Sequence, residues 1–337
     1  METCIFEVKP YLQQVLKAGL LPFLHGSPGI GKSSLLAEIA SEFNLEVIDL
    51  RLSQCEPTDL MGFPCLEGTK ATYKPMDFFP VEGDPLPEGK NGWLLALDEM
   101  NGADESVQKA AYKLVLDKMV GNHKLHKNIA IVAAGNLATD RAMVEDMSTA
   151  LQSRMVHFPV TVKPQNWLKW AASRVDYRIA GFIGFRPEKL NGDVEHEDFT
   201  FPCCRTWTFL SSLIKDVEDI EFITKMATAT IGEGTAREFV SFLSVYASLP
   251  SWNDIITNSN SLQVPTELST CFALASLIAH RVDDRTITPV VTFIKRMDIE
   301  VQIVTLKLIL GKNHGLQTHQ AITGWVKENA NLLEAIS

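Results

Sequence analysis

The sequence predicts an α/β fold, a three-layer core with a parallel sheet covered by helices on both faces, followed by a mainly α-helical second half. Two observations predict it. In the first half, short apolar runs at residues 20–24, 93–97, 129–134 and 155–162 alternate with helical periodicities, and strands apolar throughout are those that must be covered on both faces. Beyond Pro164 the strand signals stop and helical spacing takes over.

Taken in order, residues 1–20 carry Val8, Tyr11, Val15 and Leu16 at helical spacing and stop at Gly19. A strand at 20–24, a glycine-rich turn at 26–31 and an amphipathic helix at 33–43 follow. Residues 45–52 alternate as a second strand. Residues 62–92 are rich in Pro and Gly, with an extended Thr72-Tyr73 piece, and read as an irregular or hairpin insertion. The run at 93–97 is short enough for a buried strand. A helix over 104–119 starts at Asp104 as its cap, and strands at 129–134 and 155–162 complete the sheet. Helices are expected at 165–180, 204–217, 219–231, 235–247, 266–281, 288–295, 299–310 and 317–335. Pro250 and the polar stretch 253–263 place a boundary near residue 250. The expected domains are therefore 1–163, an α/β unit, 164–250, a helical unit, and 251–337, a C-terminal helical extension.

Composition narrows the function classes. A chain of 337 residues with 46% hydrophobic and 21% charged residues fits a globular protein of two or more domains. No run of about twenty apolar residues exists. The start Met1-Glu-Thr-Cys-Ile-Phe-Glu lacks the features of a secretory signal, so a cytoplasmic location is expected. The six cysteines are scattered without a C-x-x-C pair, the pattern of reduced structural thiols rather than of a zinc site. A net charge of −10 opposes a protein whose main task is to coat nucleic acid and favours protein partners.

The chemistry concentrates in three strand ends. Gly26-Ser27-Pro28-Gly29-Ile30-Gly31-Lys32-Ser33 satisfies G-x-x-x-x-G-K-[ST] between an expected strand and an expected helix. Glycines let successive backbone amides turn inward as an anion cradle, and the helix N-terminus adds positive potential. In that frame Lys32 reaches the β- and γ-phosphates of ATP, Ser33 supplies a hydroxyl to Mg²⁺, and Ser34 meets the α-phosphate. The strand 93–97 ends in Asp98 and Glu99, which places Asp98 to hold Mg²⁺ and Glu99 to orient and deprotonate the attacking water. The strand 129–134 leads to Gly135-Asn136, where an amide would contact the γ-phosphate or the water.

This arrangement resembles the AAA+ ATPases, and within them the MoxR-like and dynein-related (midasin-like) group, with a bacterial or phage source expected. Three further stretches carry the resemblance: Leu52-Ser-Gln-Cys-Glu-Pro-Thr-Asp59-Leu-Met-Gly62, Lys74-Pro-Met-Asp-Phe-Phe-Pro80 and Gly92-Trp-Leu-Leu-Ala-Leu-Asp-Glu-Met-Asn101. The resemblance covers roughly residues 20–247. It implies that 1–163 is a nucleotide-binding P-loop NTPase core with a hairpin inserted at 62–92, that 164–250 is its α-helical lid, and that Asn136 has the role of sensor 1. Ala150-Leu-Gln-Ser-Arg154-Met is similar to the segment bearing an arginine finger, which acts on the neighbouring subunit's site. Arg141 competes with Arg154 for that role. Phe201-Pro-Cys-Cys-Arg205-Thr-Trp lies where the group carries its sensor 2 arginine, here with Cys203-Cys204 between the proline and Arg205. The resemblance also implies a homo-oligomeric ring, expected to be a hexamer. Its work would be chaperone-like remodelling of a partner, such as a von Willebrand factor A domain protein. The alternative is a nucleic-acid motor or loader running on the same site. His25, His196-Glu-Asp198, Trp167 and Trp170 read as structural or solvated residues.

Overall fold

The computed structural model describes residues 2–137, 147–192 and 199–330. The chain divides into two compact units, Met1–Val162 and Lys163–Ser337.

The first unit runs β1 (Thr3–Cys4), α1 (Lys9–Lys17), β2 (Leu21–His25), α2 (Lys32–Glu42), β3 (Leu45–Arg51), α3 (Pro57–Met61), β4 (Phe63–Glu67), β5 (Lys70–Lys74), β6 (Gly92–Asp98), α4 (Glu105–Asp117), β7 (Met119–Val120), β8 (His123–Lys124), β9 (Ile129–Gly135), α5 (Thr149–Gln152) and β10 (Met155–Thr161). Six strands form one sheet in the order β1-β10-β2-β9-β6-β3, and every pairing in it is parallel.

Because side chains alternate across a strand, consecutive apolar residues must find cover on both sides. Phe23, Leu95, Leu97, Ile131 and Ala133 bury one face beneath Val107, Ala111 and Leu114 of α4 and Leu151 of α5. Leu24, Leu94, Ala96, Val132 and Ala134 bury the other against Leu12 of α1 and Leu35, Leu36 and Ile39 of α2. This three-layer parallel sheet is the architecture of P-loop NTPases of the AAA+ type, with helical additions. All its strands point one way, so the ends of β2, β6 and β9 meet along a single edge.

The insertion at 62–92 contains an antiparallel hairpin, β4 paired with β5 from Phe63↔Lys74 to Glu67↔Lys70. Asp104 does occupy the N-cap position of α4, but its side chain makes no capping bond. Two features were not expected. Thr3–Cys4 extends the sheet beside β10, and β7 pairs with β8 after α4.

The second unit is helical among its described residues: α6 (Pro164–Ala171), α7 (Tyr177–Phe185), α8 (Cys204–Ile214), α9 (Ile220–Ile231), α10 (Glu233–Ser244), α11 (Trp252–Thr257), α12 (Leu268–Arg281), α13 (Ile287–Ile294), α14 (Ile299–Lys312) and α15 (Gln320–Glu328). One apolar cluster joins Ala180 of α7 with Leu274 and Ile278 of α12, Phe293 of α13, Leu306 of α14 and Trp325 of α15. A second, aromatic contact set centres on Phe182, 5.6 Å from Trp207 and 5.5 Å from Phe239 between ring centroids. Trp167 is buried, with Trp170 6.3 Å away.

Candidate active site

The loop between β2 and α2 depends on its glycines. Gly29 and Gly31 have φ of 77° and 104°, a region that side chains with a Cβ avoid. Gly26 is needed for space, since a Cβ there would lie 2.8 Å from the Val160 carbonyl oxygen and 2.6 Å from Ile30 Cδ1. Gly31 caps α2, and no side chain caps the helix or adds an acid to its first turn. With no acid in its first turn, the N-terminal end of the helix favours an anion.

Lys32 is buried, only 8% exposed. Its ammonium donates to the Gly26 carbonyl, to the Ser27 carbonyl at 3.1 Å and to Asn136 Oδ1 at 3.1 Å. The P-loop lysine and the strand-end asparagine, 104 residues apart in sequence, therefore share one hydrogen bond. Ser33 Oγ donates to Asp98 Oδ2 at 3.2 Å, so the two expected metal ligands are also adjacent. Both are hard oxygen donors, the set that Mg²⁺ prefers.

Glu99 follows Asp98 in the left-handed conformation, φ 54° and ψ 34°, and its amide donates to Asp98 Oδ1 at 2.9 Å. Its carboxylate accepts a hydrogen bond from Ser53 Oγ, just past the end of β3, the strand paired with β6. Ser53 carried no signal in the sequence; a serine after a strand becomes visible only when pairing brings it beside a carboxylate.

Asn101 is the other residue that sequence reasoning missed. It is 6% exposed, and its amide clamps the backbone of Asn136 from both sides. Asn101 Nδ2 donates to the Asn136 carbonyl at 2.8 Å, and Asn136 N donates to Asn101 Oδ1 at 3.1 Å. Gly135 makes room for the clamp, because a Cβ at 135 would collide with the Asn101 amide, 2.8 Å from its Cγ, and with Phe23 Cζ at 2.9 Å. A buried asparagine three residues after Asp98, together with a glycine ending an apolar strand, was the available signal.

Arg154 is exposed. Its guanidinium donates to the Ala150 carbonyl at 2.7 Å and lies 5.5 Å from the centroid of the Tyr112 ring, within cation–π range. Arg205 is exposed in the first turn of α8, in the second unit. There Cys203 is the N-cap, its amide bonded to Thr206 Oγ1 at 2.8 Å, and both Cys203 and Cys204 are buried. Arg141 and His196-Glu-Asp198 lie outside the described residues. Among the described residues no group of three or more His, Cys, Asp or Glu side chains is placed to hold a metal. No described helix is long and apolar enough to cross a membrane.

His25, read as structural, is not isolated. Its Nε2 lies 2.7 Å from His157 Nδ1, and His157 Nε2 lies 2.7 Å from the Gln152 carbonyl oxygen. Burial first, then the neighbouring His157 and Lys32, push the His25 pKa down to about 4 from its ordinary 6.5, so the ring is neutral at physiological pH.

Sheet order and loop geometry define the class, a P-loop NTPase fold of AAA+-like architecture. No protein-family model matches the chain. Midasin of Dictyostelium discoideum is 35% identical over 101 residues, which span 28% of this chain but 2% of midasin. Among solved structures, the RuvB Holliday junction branch migration motor of Thermotoga maritima is similar at a TM-score of 0.39. It is 17% identical, covering 86% of each chain. A putative ATPase from Cytophaga hutchinsonii is similar at 0.36 and 13% identity, over 95% of this chain and 88% of that one. These overlaps are loose, and the fold assignment rests on strand order and loop geometry instead.

Proposed function

We propose that this chain hydrolyses ATP at the edge where β2, β6 and β9 end, and that a neighbouring copy completes the site. What supports the reading is the linked set Lys32–Asn136, Ser33–Asp98 and Asp98–Glu99, with contacts of 3.1, 3.2 and 2.9 Å. The loop amides and the start of α2 receive the phosphates, and Lys32 exchanges its carbonyl partners for phosphate oxygens. Ser33 and Asp98 would hold Mg²⁺, which when bound neutralises charge on those oxygens. Glu99 orients the attacking water and takes its proton, while Asn136 fixes the γ-phosphate or the water. Arg154 serves the next subunit's site, and an arginine supplied in trans is worth about 10³ or more in turnover. The resemblance gives Arg205 the sensor 2 role, and normal turnover in Arg205→Ala would remove it.

The energy would drive mechanical work in a ring, a hexamer in this reading. Net charge of −10 favours remodelling of a partner protein, for which a von Willebrand factor A domain protein is the natural candidate from the resemblance. A specific feature favours the second reading, a motor on nucleic acid. The β4–β5 hairpin exposes Phe63 (60%) on the face that carries Lys70 and Lys74, where Lys74 also pairs with Glu67 at 3.3 Å, an aromatic group beside basic ones of the kind that stacks on single strands.

One set of measurements decides: ATPase rate with and without single- and double-stranded DNA, and particle mass with ATP. A nucleotide-assembled ring with DNA-independent turnover supports remodelling, and strong stimulation by DNA selects the motor. Lys32→Ala protein that still turns over ATP at the normal rate would sink both. Arg154→Ala abolishes hydrolysis and spares nucleotide binding; if Arg141→Ala does so instead, the finger is Arg141.

A further inference from the structure

His25 and His157 join two parts of the machine that the sequence treats separately. The Gln152 carbonyl can only accept, so His157 Nε2 carries a proton. His157 Nδ1 shares the next hydrogen bond with His25 Nε2. The chain of bonds thus runs unbroken from His25 through His157 to Gln152. Both rings rest on Phe23, with centroids 4.0 and 5.6 Å from its own, which fixes their planes.

Each end of this chain is a functional boundary. His25 ends β2 and precedes Gly26, whose carbonyl accepts from Lys32 and whose amide donates to Gly135 O at 3.2 Å, next to Asn136. Gln152 is the last residue of α5, two positions before Arg154. The helix has four residues, too few to hold their own shape. Its fixings come from outside the helical bonds. Ser148 Oγ accepts from Leu151 N at 3.3 Å, Gln152 Nε2 donates to Met147 O at 3.0 Å, and His157 donates to its last carbonyl. Arg154 in turn donates to Ala150 O inside the same turn.

We propose that His25 and His157 are positioning residues that tie the P-loop to the finger segment of the same chain, so that the state of a subunit's own nucleotide loop sets how it presents Arg154 to its neighbour. The proposal rests on the reading of Arg154 as a finger acting in trans. It gives each subunit a route from its own site to the next one, carried by two imidazoles between adjacent strands rather than by a moving domain.

Mixed assemblies test it. His157→Phe keeps a ring against Phe23 and removes both hydrogen bonds. Alone it is expected to lose at least about tenfold in turnover, since small misplacements of a charge-stabilising group cost that much. Its affinity for a fluorescent ATP analogue is expected to stay within about twofold of wild type. Glu99→Gln chains keep a loaded nucleotide loop and so present normal fingers but cannot turn ATP over, so mixing them with His157→Phe restores turnover. Arg154→Ala chains have a site and no finger, so mixing them with His157→Phe restores nothing. A purely structural role for His157 would leave both mixtures inactive, and that result overturns the proposal, as does full activity of His157→Phe alone. The control mixture of Glu99→Gln with Arg154→Ala recovers activity if Arg154 works in trans. If it does not recover, the trans finger is lost, and the relay's function with it; if it recovers while His157→Phe with Glu99→Gln does not, only the relay falls.

Discussion

Replacing Asn101 by alanine removes two hydrogen bonds, 2.8 and 3.1 Å long, that hold the Asn136 peptide. Each is worth about 1 kcal/mol net, and a part-buried amide or carbonyl left without a partner costs about 1–3 kcal/mol. Asn101→Ala is therefore expected to lower unfolding free energy by about 2–4 kcal/mol, the upper end applying if water cannot reach the vacated space. The kinetic effect is separate. Asn136 would shift relative to Lys32, whose ammonium its side chain accepts from at 3.1 Å, while the glycine loop keeps its shape. Turnover at saturating Mg·ATP should fall by about 10–100-fold, with nucleotide Kd changed by less than about fivefold. Gly135→Ala reaches the same end by another route, because its Cβ would push the Asn101 amide aside. Steady-state ATPase, titration with a fluorescent nucleotide and urea denaturation measure the three quantities. In an Asn136→Ala background, Asn101→Ala should cost almost nothing further in turnover, since the two residues act as one unit. Normal kcat in Asn101→Ala, or full additivity in the double variant, would refute the clamp as a positioning device and leave it a fold contact.

Three other outcomes are expected. Glu99→Gln binds ATP and loses at least about 10²-fold in turnover, because the amide cannot take the water's proton; near-normal turnover removes Glu99 from that role. Ser53→Ala frees the Glu99 carboxylate from its hydroxyl partner to turn toward the attacking water, raising the basal ATPase rate by about two- to fivefold; a lower rate would mean that Ser53 aims the glutamate. The third concerns pH. The folded state holds His25 at about 4 against an ordinary 6.5, so it favours the neutral ring, and the unfolded chain binds the extra proton between those values. This contribution is whole above pH 6.5 and is lost as pH falls toward 4, about 1–2 kcal/mol once the ring's partial solvent exposure is discounted. Denaturation midpoints at pH 7 and pH 4.5 should differ less in His25→Phe than in wild type, and equal differences would count against it.

The parts of this structure that could be read in advance are those where one residue type suffices. Gly29 and Gly31 are required by their backbone angles, and the strands of Leu94, Ala96 and Val132 by burial on both faces. What escaped reading is set by pairing between distant segments. Thr3–Cys4 is a strand only because Val160 and Thr161 lie beside it, and α11 forms in a polar stretch because Ser251 accepts from Asp254 N. Ser53, Asn101 and His157 gain meaning from neighbours 46, 35 and 132 positions away. Asp104 shows the limit from the other side, with the cap position right and the capping bond not formed.

The backbone of Glu99 has an evolutionary and practical consequence. It is one of four non-glycine residues with positive φ among those described, a conformation that costs a side chain with a Cβ about 1 kcal/mol or more and that Asn or Gly adopts more easily. Glu99→Asn or Glu99→Gly should therefore raise the melting temperature while ending hydrolysis. If Glu99 activates the water as proposed, selection for heat resistance alone, in a laboratory library or a hot habitat, would drift toward chains that bind nucleotide without turning it over.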